Sequence, residues 1–117
     1  MKMIYVASPC RAEHATDVVR NHRRTIFYCK KVVELGNAPI VPHLMFKDVL
    51  NDDPRTNEWR HILSCNKEML SRCDEVWFFP NPDFTQGMLF EADWADGLGK
   101  TIRIFKPGHP FREGEPS

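Results

Sequence analysis

The spacing of hydrophobic and polar residues along the chain predicts alternating strands and helices. Short apolar runs typical of strands lie at residues 3–7, 38–43, 74–79 and 101–105. The third run contains Val-Trp-Phe-Phe without a polar interruption, which is typical of a strand buried on both faces of a sheet. Apolar residues that recur every three or four positions predict helices at about residues 15–35, 44–50, 58–71 and 87–98.

This order of elements is that of a parallel sheet with helices between successive strands. We expect an α/β fold, a doubly wound sheet of flavodoxin-like or Rossmann-like type with four or five strands and helices on both faces. The sheet and its helices are expected to form a single domain at residues 1–106. Residues 107–117 hold three prolines and two glycines and are predicted to be an extended or disordered tail.

In the first predicted helix, one apolar stripe is expected to face the sheet. It consists of Ala15, Val18, His22, Ile26, Cys29 and Val33. Most of the basic residues of this helix lie outside the stripe, and Gly36 is the expected end of the helix.

Composition and charge exclude several classes of function. Sixteen basic and sixteen acidic residues cancel, so no overall electric field attracts the chain to nucleic acid, and dedicated nucleic-acid binding is not expected. No apolar run approaches the roughly 20 residues that a membrane helix needs, and the first residues do not form a signal peptide. We therefore expect no membrane association and a location in the cytoplasm (the host cytoplasm if a phage encodes the chain).

The four cysteines are predicted to be reduced thiols. They are Cys10, Cys29, Cys65 and Cys73. Because they form no C-x-x-C pair and have no zinc spacing, we expect no metal site. The loop after the first strand lacks the glycines of a dinucleotide-binding fingerprint or a P-loop, and no cofactor is expected.

Three predicted loops meet at one edge of the sheet, because the carboxyl ends of parallel strands lie together. These loops are residues 8–12, 42–44 and 80–91. Glu91 is the candidate for chemistry, since a position in the first turn of a helix stabilises an ionised carboxylate. Such a group serves as a nucleophile or a general base. A purely structural first-turn acid fits the local pattern equally well.

Other residues at this edge indicate a small polar ligand that carries a phosphate or a sugar. Arg11 is placed to hold a phosphate or carboxylate. Thr85, with the amides of residues 86–89, is placed to complete an anion site at a helix N-terminus. Tyr5 orients Glu91 if its hydroxyl reaches this edge, and is otherwise a half-buried core tyrosine.

Two further side chains have open interpretations. His43 either lines the pocket or simply packs within its turn. Trp59 either stacks on a base or serves the core or an interface, as Trp77 and Trp94 are expected to do.

Five short segments carry a resemblance to a known family. They are residues 4–11 (IYVASPCR), Gly36 with 39–43 (PIVPH), 72–77 (RCDEVW), 86–91 (QGMLFE) and 99–102 (GKTI). In their order and spacing, up to about Phe105, the chain resembles the nucleoside 2-deoxyribosyltransferase-like superfamily. This superfamily includes the deoxyribosyltransferases, the 2'-deoxynucleoside 5'-phosphate N-hydrolases and many small phage and bacterial proteins.

The resemblance implies cleavage or transfer of the N-glycosidic bond of a (deoxy)nucleoside or a nucleoside 5'-monophosphate. The nucleophile of the family is a glutamate four residues after a glycine, and Gly87 and Glu91 have this spacing. By this resemblance Glu91 attacks C1' of the sugar and displaces the base, and water or a second base resolves the glycosyl-enzyme, as in a retaining glycosidase. Tyr5 corresponds to the tyrosine that orients the nucleophile.

The resemblance also implies which residues bind the substrate. Thr85 matches a serine that contacts phosphate in the nucleotide hydrolases, and Arg11 lies near their N-terminal anion site. Further substrate-binding residues are expected at Ser8, His43, Gly87 and Met88. The expected partner is a small-molecule nucleoside or nucleotide, and the chain is expected to form a homo-oligomer, a dimer or higher, as members of this family commonly do.

One position departs from the family pattern. The enzymes have an aspartate that helps to protonate the leaving base, eight residues before the position of Asp74, and this chain has Asn66 there. An amide hydrogen-bonds a base but cannot act as an acid. Either Asp93 or His43 takes this role, or the reaction is slower, different or absent. A non-catalytic nucleotide-binding or sensing module and a phage-type accessory protein are therefore the alternatives to an enzyme.

Overall fold

The computed structural model describes residues 1–12 and 14–106, and the predicted tail at 107–117 lies outside this part. The strands are β1 (Met3–Ala7), β2 (Ala38–Ile40), β3 (Glu75–Phe78) and β4 (Thr101–Ile104). The helices are α1 (Ala15–Glu34), α2 (Pro42–Met45), α3 (Asn57–Arg72) and α4 (Gln86–Gly97). Within the described residues, no helix is long and apolar enough to cross a membrane.

The strands form one parallel sheet in the order β2-β1-β3-β4. In the centre of the sheet, Tyr5 lies opposite Ile40 on one side and Val76 on the other. An order in which β1 lies between β2 and β3 is that of the flavodoxin-like doubly wound folds. The predicted parallel α/β fold is thus confirmed.

The two faces of the sheet carry separate apolar clusters. Tyr5 and Ala7 of β1 pack in a cluster with residues of α3 and α4. Ile4 and Val6 point the other way and pack in a cluster that includes Val32 of α1. Because successive side chains of a strand point to opposite faces, this division shows that helices cover both faces, as predicted.

The second strand is shorter than the sequence indicates. It was expected to reach residue 43 but ends at Ile40, and α2 begins at Pro42. Proline has no amide hydrogen for a strand ladder and fits the first position of a helix, which explains the early end. The short helix expected at residues 44–50 accordingly lies at Pro42–Met45.

The face of α1 that packs on the sheet differs from the predicted stripe. Val18, Ile26 and Val33 are 38%, 48% and 55% exposed, whereas Asn21 and Thr25 are buried. The inward face of this helix is polar in its first half, because there it approaches polar side chains that follow β1 and β2. Apolar periodicity cannot identify such a face, since it selects the more hydrophobic side of a helix.

A buried carboxylate near the amino end of β3 connects this strand with β4 and with the residue before β1. The Glu75 side chain is 5% exposed and accepts hydrogen bonds from Lys2 Nζ at 2.6 Å and Arg103 Nε at 2.8 Å. The indole Nε1 of Trp77 donates a third, at 2.9 Å. Burial alone raises the pKa of Glu75, but these three donors outweigh it and lower the pKa to about 2.

Replacing Glu75 by glutamine is expected to lower the free energy of unfolding by about 2 kcal/mol at pH 7, because bonds to a charged acceptor become bonds to an amide. The folded state holds the proton of Glu75 less tightly than the unfolded chain. The contribution of ionised Glu75 to the free energy of unfolding is therefore complete above pH 4.5 and disappears as the pH falls toward about 2. Urea unfolding at pH 7 and pH 3 measures both effects.

The matched control is Glu34→Gln, which removes an exposed ion pair with Lys31. Exposed pairs contribute little to stability, and a change below about 0.5 kcal/mol is expected. Equal losses in the two variants would contradict a special contribution of Glu75.

Candidate active site

A cavity of about 1120 Å³ opens at the carboxyl edge of the sheet. The loops after β1, β2 and β3 contribute to its wall, together with parts of α1, α3 and α4. Every residue predicted to bind or react with the ligand lines this cavity except Tyr5; the lining ones are Ser8, Arg11, His43, Asn66, Thr85, Gly87, Met88 and Glu91. Loops far apart in sequence thus converge at the expected edge.

Helix α4 brings Glu91 to the cavity. Thr85 caps this helix, and its side-chain oxygen accepts a hydrogen bond from the Met88 amide at 3.2 Å. The prediction that Glu91 lies in the first turn is wrong, because the helix begins at Gln86 and its first turn contains no acid. In the second turn the helix dipole favours the ionised carboxylate less.

Tyr5, in the central strand β1, binds the carboxylate of Glu91. Its side chain is fully buried in β1, and its hydroxyl donates a hydrogen bond to Glu91 Oε2. Burial, and then the nearby Glu91, raise the pKa of Tyr5 well above its ordinary value of 10.0. Tyr5 is therefore a neutral donor at any physiological pH, and it fixes the orientation of the carboxylate.

The electrostatics of Glu91 are dominated by its removal from water. Burial raises its pKa from 4.5 to about 7, although the hydrogen bond from Tyr5 acts in the opposite direction. A carboxyl group with this pKa is ionised in roughly half of the molecules at neutral pH. It can act as a nucleophile when ionised and as an acid when protonated, which is typical of groups tuned for chemistry.

On the side of α1, the buried Thr25 connects two polar side chains that line the cavity, Ser8 and His43. Thr25 is buried, and its Oγ1 lies 2.7 Å from Ser8 Oγ and 3.0 Å from His43 Nδ1. Burial, and then His22, lower the pKa of His43 to about 4, so its imidazole is neutral at pH 7. The sequence pattern did not identify Thr25 or His22 as part of this region, because neither occurs in a recognisable motif.

The segment 46–54, between α2 and α3, borders the cavity. Cys10 Sγ donates to Asp52 Oδ2 at 3.3 Å, and Arg11 Nη1 donates to the Asp52 carbonyl oxygen at 3.2 Å. Burial, and then Asp52, raise the pKa of Cys10 to about 12, so this cysteine is an unreactive thiol. The segment thus contacts the loop after β1 and places Asp48, Asn51 and Asp52 on the cavity wall.

Helix α3 forms the part of the cavity wall that contains Asn66, the residue that replaces the aspartate of the family enzymes. Asn66 and Trp59 both line the cavity. The Oδ1 atom of Asn66 is buried and has no hydrogen-bond partner within residues 1–12 and 14–106. Asp93, which the sequence offered as a substitute acid, is exposed and does not line the cavity.

The sequence matches one described family along nearly its whole length. Residues 2–105 match the family described as "Domain of unknown function (DUF7768)". No curated protein matches the chain.

The chain is similar to solved structures of enzymes, among them a 2-deoxyribosyltransferase and a CMP N-glycosidase. A 2-deoxyribosyltransferase from the psychrotolerant bacterium Bacillus psychrosaccharolyticus has a TM-score of 0.66 and 21% identity over 97% of this chain and 74% of its own. The CMP N-glycosidase BcmB of Clostridium botulinum has a TM-score of 0.57 and 18% identity over 90% of this chain and 71% of its own. These similarities confirm the fold that the resemblance implied. The chain therefore belongs to the DUF7768 family and has a nucleoside 2-deoxyribosyltransferase-like fold.

Proposed function

We propose that the protein hydrolyses the N-glycosidic bond of a nucleoside or a nucleoside 5'-monophosphate, with Glu91 as the nucleophile. The observation that carries this proposal is the pairing of Glu91 with Tyr5 at the wall of the cavity. One carboxylate oxygen is held by the tyrosine hydroxyl. The other, Oε1, has no hydrogen-bond partner in the described part of the chain and is available to a substrate.

The dimensions and polarity of the cavity fit such a substrate. Its volume of about 1120 Å³ accommodates a nucleoside monophosphate. The amides of Gln86 and Gly87 at the start of α4 have no carbonyl partner within the helix, and Gly87 adds no side chain that would cover them. Together with Arg11, they are suited to a 5'-phosphate.

The proposed reaction proceeds in two displacements. Glu91 Oε1 forms a bond to C1' of the sugar while the bond from C1' to the base nitrogen breaks, and the electron pair leaves with the base. Water then attacks C1' and releases one proton to the solvent, a hydroxyl group is left on the sugar, and the electron pair of the C1'–O bond returns to Glu91. Because Asn66 is not an acid and His43 is neutral, the departing base takes its proton from water, and we expect slow turnover.

Asn66 also favours a second candidate function. A protein that binds nucleotides without cleaving them needs the cavity but no acid at this position. Such a sensing module is the alternative to the hydrolase.

The test is prolonged incubation with a panel of 2'-deoxynucleosides, ribonucleosides and their 5'-monophosphates, with free base separated by chromatography. Release above a protein-free blank supports the hydrolase and identifies the substrate. Nucleotide binding, measured by calorimetry, without any release supports the sensing module. An absence of both release and binding contradicts both candidates and leaves the accessory protein that binds a macromolecular partner.

We further propose that residues 1–106 form the functional domain and that it works in the cytoplasm. All four cysteines are free thiols. Free cysteines are typical of proteins in a reducing compartment.

We also propose that the protein forms a homo-oligomer through α1. The outer face of this helix carries apolar side chains that are 47–55% exposed: Val19, Ile26, Phe27 and Val33. The chain has no net charge, so electrostatic repulsion between copies is weak. Contiguous apolar patches of this kind are typical of interaction surfaces.

Ile26→Glu is expected to convert the oligomer into a monomer, because the substitution places a charge inside the proposed contact. Light scattering coupled to size-exclusion chromatography gives the mass of each species. Thr16→Glu adds the same charge at an exposed position of the same helix and should leave the mass unchanged. A monomeric wild type, or an Ile26→Glu variant with the wild-type mass, would contradict the proposed interface.

A further inference from the structure

The hydroxyl of Thr25 determines how protons are distributed at one end of the cavity. A threonine hydroxyl has one hydrogen to donate and two lone pairs that accept. Thr25 Oγ1 donates to the backbone carbonyl oxygen of Asn21 at 2.9 Å, and a carbonyl oxygen can only accept. The single hydrogen of Thr25 is therefore committed, and its two other close contacts must each donate to it.

Those two contacts are Ser8 and His43. Ser8 Oγ, at 2.7 Å, gives its hydrogen to Thr25, and His43 Nδ1, at 3.0 Å, must carry a hydrogen and donate it as well. A neutral imidazole has only one ring hydrogen. Since His43 is neutral, its hydrogen is on Nδ1, and Nε2 is left with a lone pair.

The second nitrogen of His43 is available to a ligand. His43 lines the cavity, and no described residue forms a hydrogen bond with its Nε2. Ser8, whose hydrogen is also committed to Thr25, lines the same cavity and has only lone pairs left to offer.

Ser8 Oγ and His43 Nε2 thus offer only lone pairs to the cavity, and a ligand group that binds to them has to supply hydrogens. An exocyclic amino group supplies two, whereas a keto oxygen at the same position supplies none and brings its own lone pairs against those of the wall. An unpaired buried acceptor is costly, so the difference between the two kinds of base is large.

We propose that His43 Nε2 accepts a hydrogen bond from the exocyclic amino group of the substrate base, so that the protein selects adenine or cytosine over hypoxanthine or uracil. This inference rests on the proposed function, because it places the base of the substrate beside His43. His43 is then the residue that determines base specificity, and Thr25 is a positioning residue that fixes its tautomer.

The experiment compares two matched pairs of 5'-monophosphates, deoxyadenosine with deoxyinosine and deoxycytidine with deoxyuridine. Within each pair a keto oxygen replaces the exocyclic amino group, and the adjacent ring nitrogen gains a hydrogen. The wild type is expected to favour the amino member of at least one pair by tenfold or more in kcat/KM. Equal values within about twofold in both pairs would overturn the inference and leave the hydrolase proposal intact.

Two variants separate specificity from structure. In His43→Asn the side-chain amide occupies the position of Nδ1 and still donates to Thr25, but nothing replaces Nε2. The preference is expected to fall to less than threefold, mainly through a higher KM for the amino member. A variant that keeps the tenfold preference would overturn the role of His43.

In Thr25→Val the acceptor that holds the hydrogen on Nδ1 is lost, while the buried volume is preserved. His43 is then free to carry its hydrogen on Nε2, which changes it from acceptor to donor. The preference is expected to shift toward the keto member of the pair, an effect that mere loss of packing cannot produce. An unchanged preference in this variant, with the fold intact, would overturn the assignment of the tautomer.

The same four nucleotides distinguish this inference from the proposed function when no base is released. Their affinities are then measured by calorimetry on Glu91→Gln protein, with and without His43→Asn. A tenfold preference in affinity for the amino member, lost with His43→Asn, supports the inference even if the hydrolase proposal fails. No measurable binding of any of the four would overturn both.

Discussion

Glu91→Gln is expected to reduce base release by a factor of about 10³ or more. Glutamine has nearly the same shape, and its amide oxygen still accepts the hydrogen bond from Tyr5. An amide oxygen, however, is a poor nucleophile and does not form the glycosyl ester. The measurement is the initial rate of base release from the best substrate of the panel, at the pH where the wild type is most active.

Asp93→Asn is the control for this result. Asp93 lies two residues further along α4, but it is exposed and does not line the cavity. The Asp93→Asn substitution also converts a carboxylate into an amide, but outside the site. The rate should stay within about twofold of wild type. Wild-type rates in Glu91→Gln would exclude Glu91 as the nucleophile.

The same glutamine variant is expected to be more stable than the wild type above pH 7. The folded protein holds the proton of Glu91 more tightly than the unfolded chain, since the pKa rises from 4.5 to about 7. The wild type therefore loses stability as the pH rises through this interval, by up to about 3 kcal/mol. Urea unfolding should show a gain for Glu91→Gln at pH 8 and none at pH 4.5.

Tyr5→Phe is expected to reduce the rate at pH 7 by a factor of about 10 to 100. The phenylalanine ring still fills the buried site in β1, but Glu91 loses the donor that orients it. That hydrogen bond also lowers the pKa of Glu91. Without it, the rise of kcat/KM with pH should move to a higher pH than in the wild type.

The pH–rate profile between pH 5 and 9 measures this shift. Tyr28→Phe serves as the control, because Tyr28 stacks on Phe79 on the opposite face of the sheet from Glu91. It should leave the profile in place. An unchanged acidic limb in Tyr5→Phe would mean that Tyr5 has only a structural role.

The architecture was predictable because its signals are local. The uninterrupted apolar run of β3 indicates a strand buried on both faces, and the proline at the start of its following loop ends it. Parallel strands then place their loops at one edge, which is sufficient to bring Glu91 and Arg11 to the same cavity.

The chemistry of the site was only partly predictable, because it depends on contacts between distant segments. The raised pKa of Glu91 follows from burial, whereas its expected place in a first helical turn implied the opposite shift. The links from Ser8 to Thr25 and from Thr25 to His43 span 17 and 18 residues. No periodic pattern reports hydroxyl and imidazole groups that meet across such distances.

The amino edge of the sheet contributes to stability, whereas the carboxyl edge forms the candidate active site. At the amino edge, Glu75 binds three donors and contributes to stability. At the carboxyl edge, Glu91 lies at the cavity with a raised pKa, which costs stability at neutral pH. Substitutions at one edge should therefore combine additively with substitutions at the other, since they share no partners.

The polar inner face of α1 has a consequence for the local stability of this helix. The second half of the helix is fixed by Val32 and by the stack of Tyr28 on Phe79, at 4.1 Å between ring centroids. The first half is attached through the contacts of Thr25 with Ser8 and His43, and its Val18 and Val19 are 38% and 49% exposed. Local opening of a segment costs free energy in proportion to the contacts that it breaks. The first turns of α1 therefore depend on polar contacts at the cavity, and we expect their backbone amides to exchange with solvent faster than those of the second half.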